Sequence, residues 1–434
     1  MGRRYAGIAV ALGVARIASA VACGSSTAPH ATVVDSGAPG MDAAPCGAVD
    51  QACCPEATCD SPLTCTGGMC SAVTMGMDSG ADSCGAFVAC KGTCTDIASD
   101  PANCGACGHS CGPAECVQGV CSPSLVASGL ATAACLQQPD TCAMRMTLDA
   151  TNVYWTNSGD GTVRTVSKQG GAIGVLASSI PSLYGIAVDT TSVYFTSEGT
   201  TAGMFADGAV LRVPNLKSPP DAGGSVPFVL AKARRRPRAL RVDATSVYWL
   251  DHGDDLSDGA AVKCPLAGCG AATPTLLAGA LQTPYGLAID ANLVYFTEGG
   301  AGTLKAVPLA GGNPMALAQG QQQPSGVAVD GTSAFWTSLG DGNVAAVGLT
   351  GGVSTTLTTV QGFPQDIVTD GSYVYFTDTQ SVPGEGAVMR CPVAGCSAPP
   401  LVLAANMPTA LDVAVDQAFV YWLGSDGTLM RAAK

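Results

Sequence analysis

Asp290-Ala291-Asn292-Leu293-Val294-Tyr295-Phe296-Thr297 joins two local signals. Its carboxylate ends an alternating run that starts at Gly286, and Asp and Asn favour turns because their side chains hydrogen-bond nearby backbone. Leu293 to Thr297 is β-branched and aromatic, a composition that fits a pleated, half-buried strand. The same phrase recurs at Asp149, Asp189, Asp243, Asp290, Asp330, Asp370 and Asp416. Five positions after each comes an aromatic: Tyr154, Tyr194, Tyr248, Tyr295, Phe335, Tyr375 and Tyr421. A second follows at once: Trp155, Phe195, Trp249, Phe296, Trp336, Phe376 and Trp422.

Successive aspartates lie 40 to 54 residues apart, the period of propeller blades. One unit reads as four strands: Gly286 to Asp290, Leu293 to Thr297, Gly302 to Pro308 and Pro314 to Ala318, with glycine-rich turns between. A lone blade cannot bury both faces, so neighbours must stack around an axis. The seventh unit stops at Lys434 after its third strand, while Ser124 to Leu130 is an orphan strand upstream of the first. Pairing these two closes the ring and removes its edge. The predicted fold is all-β: a seven-bladed propeller over residues 124–434, its last blade completed by the N-terminal strand.

Val153-Tyr154-Trp155-Thr156-Asn157 and Val374-Tyr375-Phe376-Thr377-Asp378 resemble the YWTD motif of the low-density-lipoprotein receptor propellers and, more loosely, NHL propellers. The resemblance implies fold only, since the receptor propellers have six blades. It implies that the aromatics pack between blades and the aspartates hold turns or neighbouring blades.

Upstream, Arg3, Arg4 and Tyr5 open a basic segment, and Ala6 to Ala15 is apolar but too short to span a bilayer. Residues 1–22 read as a signal peptide. Ala20-Val21-Ala22-Cys23 resembles a bacterial lipobox, which makes Cys23 the expected lipidation site; ordinary cleavage after Ala22 is the alternative. Removing Cys23 leaves an even number of the 21 cysteines, as complete pairing in an exported chain requires. The expected address is therefore the bacterial outer membrane, by lipid anchor, or else secretion. Residues 23–45 and 71–83 are small, polar and proline- or glycine-rich, and read as tether and linker.

Between and after them lie two cysteine-rich modules, 46–70 and 84–121, each with an even cysteine count and little apolar bulk. Disulfides must supply their stability, at about 2–4 kcal/mol each. The second, around Cys94, Asp96, Asp100, Cys104, Cys107 and Cys111, resembles modules of secreted lipoproteins from gliding soil bacteria. Zinc is the competing reading for Cys104, Cys107 and His109, and export argues against it.

Function is sought where the repeat breaks. Cys264 with Cys269, and Cys391 with Cys396, flank short hairpin loops and are expected disulfides, as are Cys135 with Cys142. Between units two and three lie Lys232, Arg234, Arg235, Arg236, Arg238 and Arg241 in a chain of net charge −13. They either salt-bridge acidic loops or form an anion-binding patch. The unit-three loop carries Asp251, His252, Asp254, Asp255 and Asp258, which read as solvated turn acids or as calcium ligands. Streptogramin lyases are seven-bladed enzymes, but catalysis in such propellers needs a histidine or a metal cage in the channel. Here His252 is the sole histidine after residue 124. The expectation is a binding scaffold for a protein or glycan of the cell envelope, with no cofactor. The alternatives are a metal-dependent hydrolase or lyase at the unit-three loop, and a purely structural envelope protein. Acidity and sparse aromatics beside the arginines exclude a nucleic-acid groove.

Overall fold

The computed structural model describes three short strands between residues 51 and 72, and most of 84–434; residues 85–86, 113, 131–144, 215–223, 255–256, 271, 380–383 and 398 are not described. The chain divides into two compact units, Met1–Asp78 and Ser79–Lys434. In the first, Gln51–Ala52, Met69–Ala72 and Leu63–Thr66 form an antiparallel sheet in that spatial order. Cys23 and the expected Cys135–Cys142 pair lie outside the described residues.

The second unit contains seven four-stranded antiparallel sheets. Blade four is typical: Pro284–Ile289, Leu293–Glu298, Thr303–Pro308 and Met315–Ala318, in sequence order from axis to rim. Blade seven takes Ala410–Val415, Phe419–Gly424 and Leu429–Ala433 from the C-terminal end and Ser124–Ala127 from upstream. Leu429 opposes Ala127 and Arg431 opposes Ser124, so the two ends close the ring as expected.

The aromatic doublet explains why the blades associate. Neighbouring residues of a strand point to opposite faces, so each doublet addresses both adjoining blades. Tyr154 packs in one core with Phe195, Tyr194 with Trp249 and Tyr248 with Phe296. Tyr295 then meets Trp336, Phe335 meets Phe376, Tyr375 meets Trp422, and Tyr421 returns to Trp155. All fourteen rings are buried, each worth about 1.5–3 kcal/mol.

The aspartates hold the turns. Asp290 Oδ1 accepts the amides of Asn292 and Leu293 at 2.7 and 2.8 Å, and Oδ2 accepts the Tyr295 hydroxyl at 2.6 Å. Burial opposes its charge, but these donors outweigh burial and hold Asp290 below the usual carboxylate range. Blade five has Phe335 instead of a tyrosine, so Asp330 holds its turn without a phenol.

Residues 84–121 form Cys84–Cys94, Cys90–Cys107, Cys104–Cys116 and Cys111–Cys121. Cys104, Cys111 and Cys121 bring their sulfurs close together, but all three are disulfide-bonded. Cys104 and Cys107, the pair suggestive of zinc, are bonded to different partners. This module packs its buried cysteines against Phe419 and Ala433 of blade seven. Among the described residues, no helix is long and apolar enough to cross a membrane.

Candidate functional site at the channel mouth

The seven first strands touch one another in a ring, enclosing a cavity of about 360 Å³. Its lining is set by the residue four places before each scaffold aspartate. In blades two, four and five that residue is Gly185, Gly286 or Gly326, and in blade three it is Ala239. A Cβ at Gly185, Gly286 or Gly326 would collide with the carbonyl oxygen of Arg238, Ser325 or Gln365 on the next blade. At each of these seams a threonine stitches the strands. Thr196 Oγ1, for instance, accepts from Gly185 N at 2.7 Å and donates to Arg238 O at 2.9 Å.

Blades six, seven and one depart from this pattern. The glycine position carries Asp366, Asp412 and Arg145, and the three blades are consecutive in the ring. Asp366 Oδ2 accepts Val413 N at 3.2 Å, and Asp412 Oδ2 accepts Met146 N at 2.5 Å. Arg145 Nη1 donates to Leu411 O at 2.8 Å and Nη2 to the Tyr184 hydroxyl at 3.1 Å. Polar side chains thus span the seams from blade six to seven and seven to one, while blade one keeps the threonine bridge to blade two, Thr156 Oγ1 donating to Tyr184 O at 2.7 Å.

The electrostatics follow from enclosure. Burial, then the neighbouring Asp366 carboxyl, push Asp412 well above the carboxylate range, with Arg145 opposing. Arg145 stays charged: burial disfavours the cation, but Tyr184, Asp412, Tyr285 and Asp366 outweigh it. The Tyr285 hydroxyl is raised by Tyr184 and by burial, against Arg145 and Arg238, and remains a neutral donor. The Tyr184 ring lies between two guanidinium groups, Arg145 at 5.0 Å and Arg238 at 5.2 Å.

Arg238 links this cavity to the arginine segment singled out in the sequence. Connections between blades and loops between second and third strands share one face in an antiparallel order. On that face Arg238 Nε meets Glu198 Oε1 at 2.5 Å. Arg234 pairs with Asp251 (Nε to Oδ2, 3.1 Å), a carboxylate 3 % exposed that also accepts Trp249 Nε1 at 2.9 Å. Arg235 reaches Asp258 at 3.1 Å and Asp254 at 3.6 Å. Arg236 lies 3.8 Å from Asp254 and 4.1 Å over the Phe205 ring. Its φ of 50° is shared by Ser182, Thr283 and Gln323 at the same step of other connections, so the left-handed turn belongs to the repeat. Arg241 lines the cavity itself, and Lys232 is exposed.

His252 donates its amide to Arg236 O at 3.0 Å. Burial and the nearby Arg238 lower its imidazole pKa to about 4, so it is neutral at physiological pH. Asp251, Asp254 and Asp258 each face an arginine, which competes for the lone pairs a calcium ion would need. Asp255 lies outside the described residues. The structure pairs Cys264 with Cys269 and Cys391 with Cys396 at the rims of blades three and six, away from the channel lining.

The sequence reading passed over Arg145, Tyr184, Tyr285, Asp366 and Asp412. For Arg145, Asp366 and Asp412 the signal is loss of the small residue at one repeat position, whereas Tyr184 and Tyr285 each stand one place before a retained glycine. It carries meaning only once that position is known to face the axis.

No protein-family model matches the chain, and no curated protein matches its sequence. Solved structures similar to it are propellers. The WD40 β-propeller domain of Doa1 aligns with a TM-score of 0.55 at 15% identity, over 72% of this chain and 97% of that one. Virginiamycin B lyase from Staphylococcus aureus aligns with a TM-score of 0.52 at 11% identity, over 72% and 98%. A streptogramin B lyase aligns with 0.52 at 13%, over 67% and 92%. At such identities the likeness is one of fold.

Proposed function

We propose that this protein is an exported, lipid-anchored component of the bacterial cell envelope whose propeller binds a partner at the channel mouth. A glycan is the partner class the geometry favours, ahead of a protein. The observation that carries the reading is the convergence of Arg145, Tyr184, Tyr285, Asp366 and Asp412 on one enclosed, water-reachable cavity. Concave sites with a few convergent polar groups are where folds of this kind take ligands. The paired state of Asp251, Asp254 and Asp258 supports binding over a metal-dependent reaction at the blade-three loop. The signal-peptide and lipobox patterns, with the paired cysteines, support the address.

Retention of the purified chain on an array of envelope polysaccharides and proteins tests the binding reading. Wild type should be retained on a glycan and Tyr285→Ala released; retention that is equal for both would remove the channel from the site. Mass spectrometry of the native N-terminus tests the anchor, with a diacylated Cys23 as the expected species.

A further inference from the structure

We infer that Asp366, Asp412 and Arg145, with Tyr285 and Gln365, form a subsite for the hydroxyl face of an uncharged sugar ring. This rests on the binding reading above and names its ligand class. Three observations lead to it. First, about 360 Å³ lies at the small end of ligand pockets, which span roughly 300–1,000 Å³. That space suits a single ring entering end-on.

Second, charge in the cavity is balanced. Two acidic side chains, Asp366 and Asp412, share the lining with two guanidinium groups, Arg145 and Arg241, and Arg238 is paired with Glu198 at 2.5 Å. A charged ligand would lose its hydration there without gaining a counter-charge, a costly exchange in an enclosed site.

Third, the lining offers donors and acceptors side by side. The Tyr285 hydroxyl and the Gln365 amide can do both, the carboxyls accept, and the guanidinium donates. Sugar hydroxyls also donate and accept, so vicinal hydroxyls match this set where a simple cation or anion would use half of it. In the other seams this position is a glycine or alanine, so Asp366, Asp412 and Arg145 lie on one arc of the channel and Tyr285 is contributed by blade four.

The test is titration calorimetry of the full chain with glucose, galactose, mannose and N-acetylglucosamine, and with glucosamine and galacturonate as charged counterparts. Each titration is repeated in buffers of different ionisation enthalpy. A neutral sugar should bind without net proton exchange, and its charged counterpart at least about tenfold more weakly, a difference of about 1.4 kcal/mol. Asp412→Leu should weaken that sugar by tenfold or more. Tyr285→Phe, which removes one hydroxyl and leaves the blade seams intact, should weaken it by about fivefold. Tighter binding of a charged counterpart, proton release or uptake with the neutral sugar, or unchanged affinity in both variants would overturn the inference. If no sugar binds while a polymer or protein is still retained on the array, the subsite falls and the binding function stands. If nothing binds in either experiment, both fall.

Discussion

Lys168 of blade one ion-pairs with Asp416 of blade seven at 2.8 Å, across the seam where the first and last blades meet. Lys434 of blade seven makes the equivalent pair with Asp370 of blade six at 2.6 Å. At the same repeat position blades three to six carry Leu266, Leu309, Leu349 and Val393, which pack into the inter-blade cores. The closing blade is therefore pinned on both flanks by ion pairs, where blades three to six place an apolar side chain at this position. Asp416→Asn should keep the turn but strand a lysine whose side chain is 9% exposed. Asp330→Asn, at a seam with neither lysine nor tyrosine, loses neither contact. Chemical denaturation should show Asp416→Asn to be the costlier by about 2 kcal/mol; equal costs would mean that the ion pair contributes nothing.

The tyrosine hydroxyls give a second, reciprocal test. Tyr295→Phe removes the donor to Asp290 and should cost about 1–2 kcal/mol. Phe335→Tyr restores in blade five the bond that six sister blades make, and should stabilise by about 1 kcal/mol. Denaturation midpoints moving in the same direction for both variants would contradict this account.

Asp412 and the scaffold aspartates respond to pH with opposite signs. Burial opposes the charge of Asp370, but Lys434 and the turn donors lower its pKa to about 2. Its stabilising contribution is present above the unfolded value near 3.8 and is lost as pH falls towards 2. For Asp412 the folded pKa is raised, so its contribution is full below the ordinary carboxylate value and is lost as pH rises through the raised one. Asp412→Asn should remove that dependence. Calorimetric Tm values should show the variant gaining on wild type as pH rises from about 4, and parallel curves would refute the raised pKa of Asp412.

His252 predicts acid sensitivity in a different window. The unfolded chain takes up a proton near pH 6.5, while the folded imidazole resists until about 4. Stability contributed by the neutral ring is therefore present above 6.5 and lost as pH falls towards 4. His252→Gln should flatten the Tm profile between these limits, and an unchanged slope would show that other groups set it.

Much of this architecture is legible in the residues alone. Asp290 with Tyr295 and Phe296, repeated seven times, contains the turn, the strand and both inter-blade contacts, because each interaction is local or reaches only the next copy of itself. Ser124–Ala127 could be assigned to blade seven for the same reason: one missing strand had one matching orphan. The site is different in kind. Arg145, Asp366 and Asp412 are up to 267 residues apart in the chain, and nothing in their local sequence says that they converge. Packing of blade six on blade seven brings the two acidic side chains to one seam, and closure of the ring against blade one then adds the arginine. Sequence periodicity determined the wheel, since it repeats short-range physics; tertiary closure decided the channel, since its electrostatics depend on distances that no repeat unit contains.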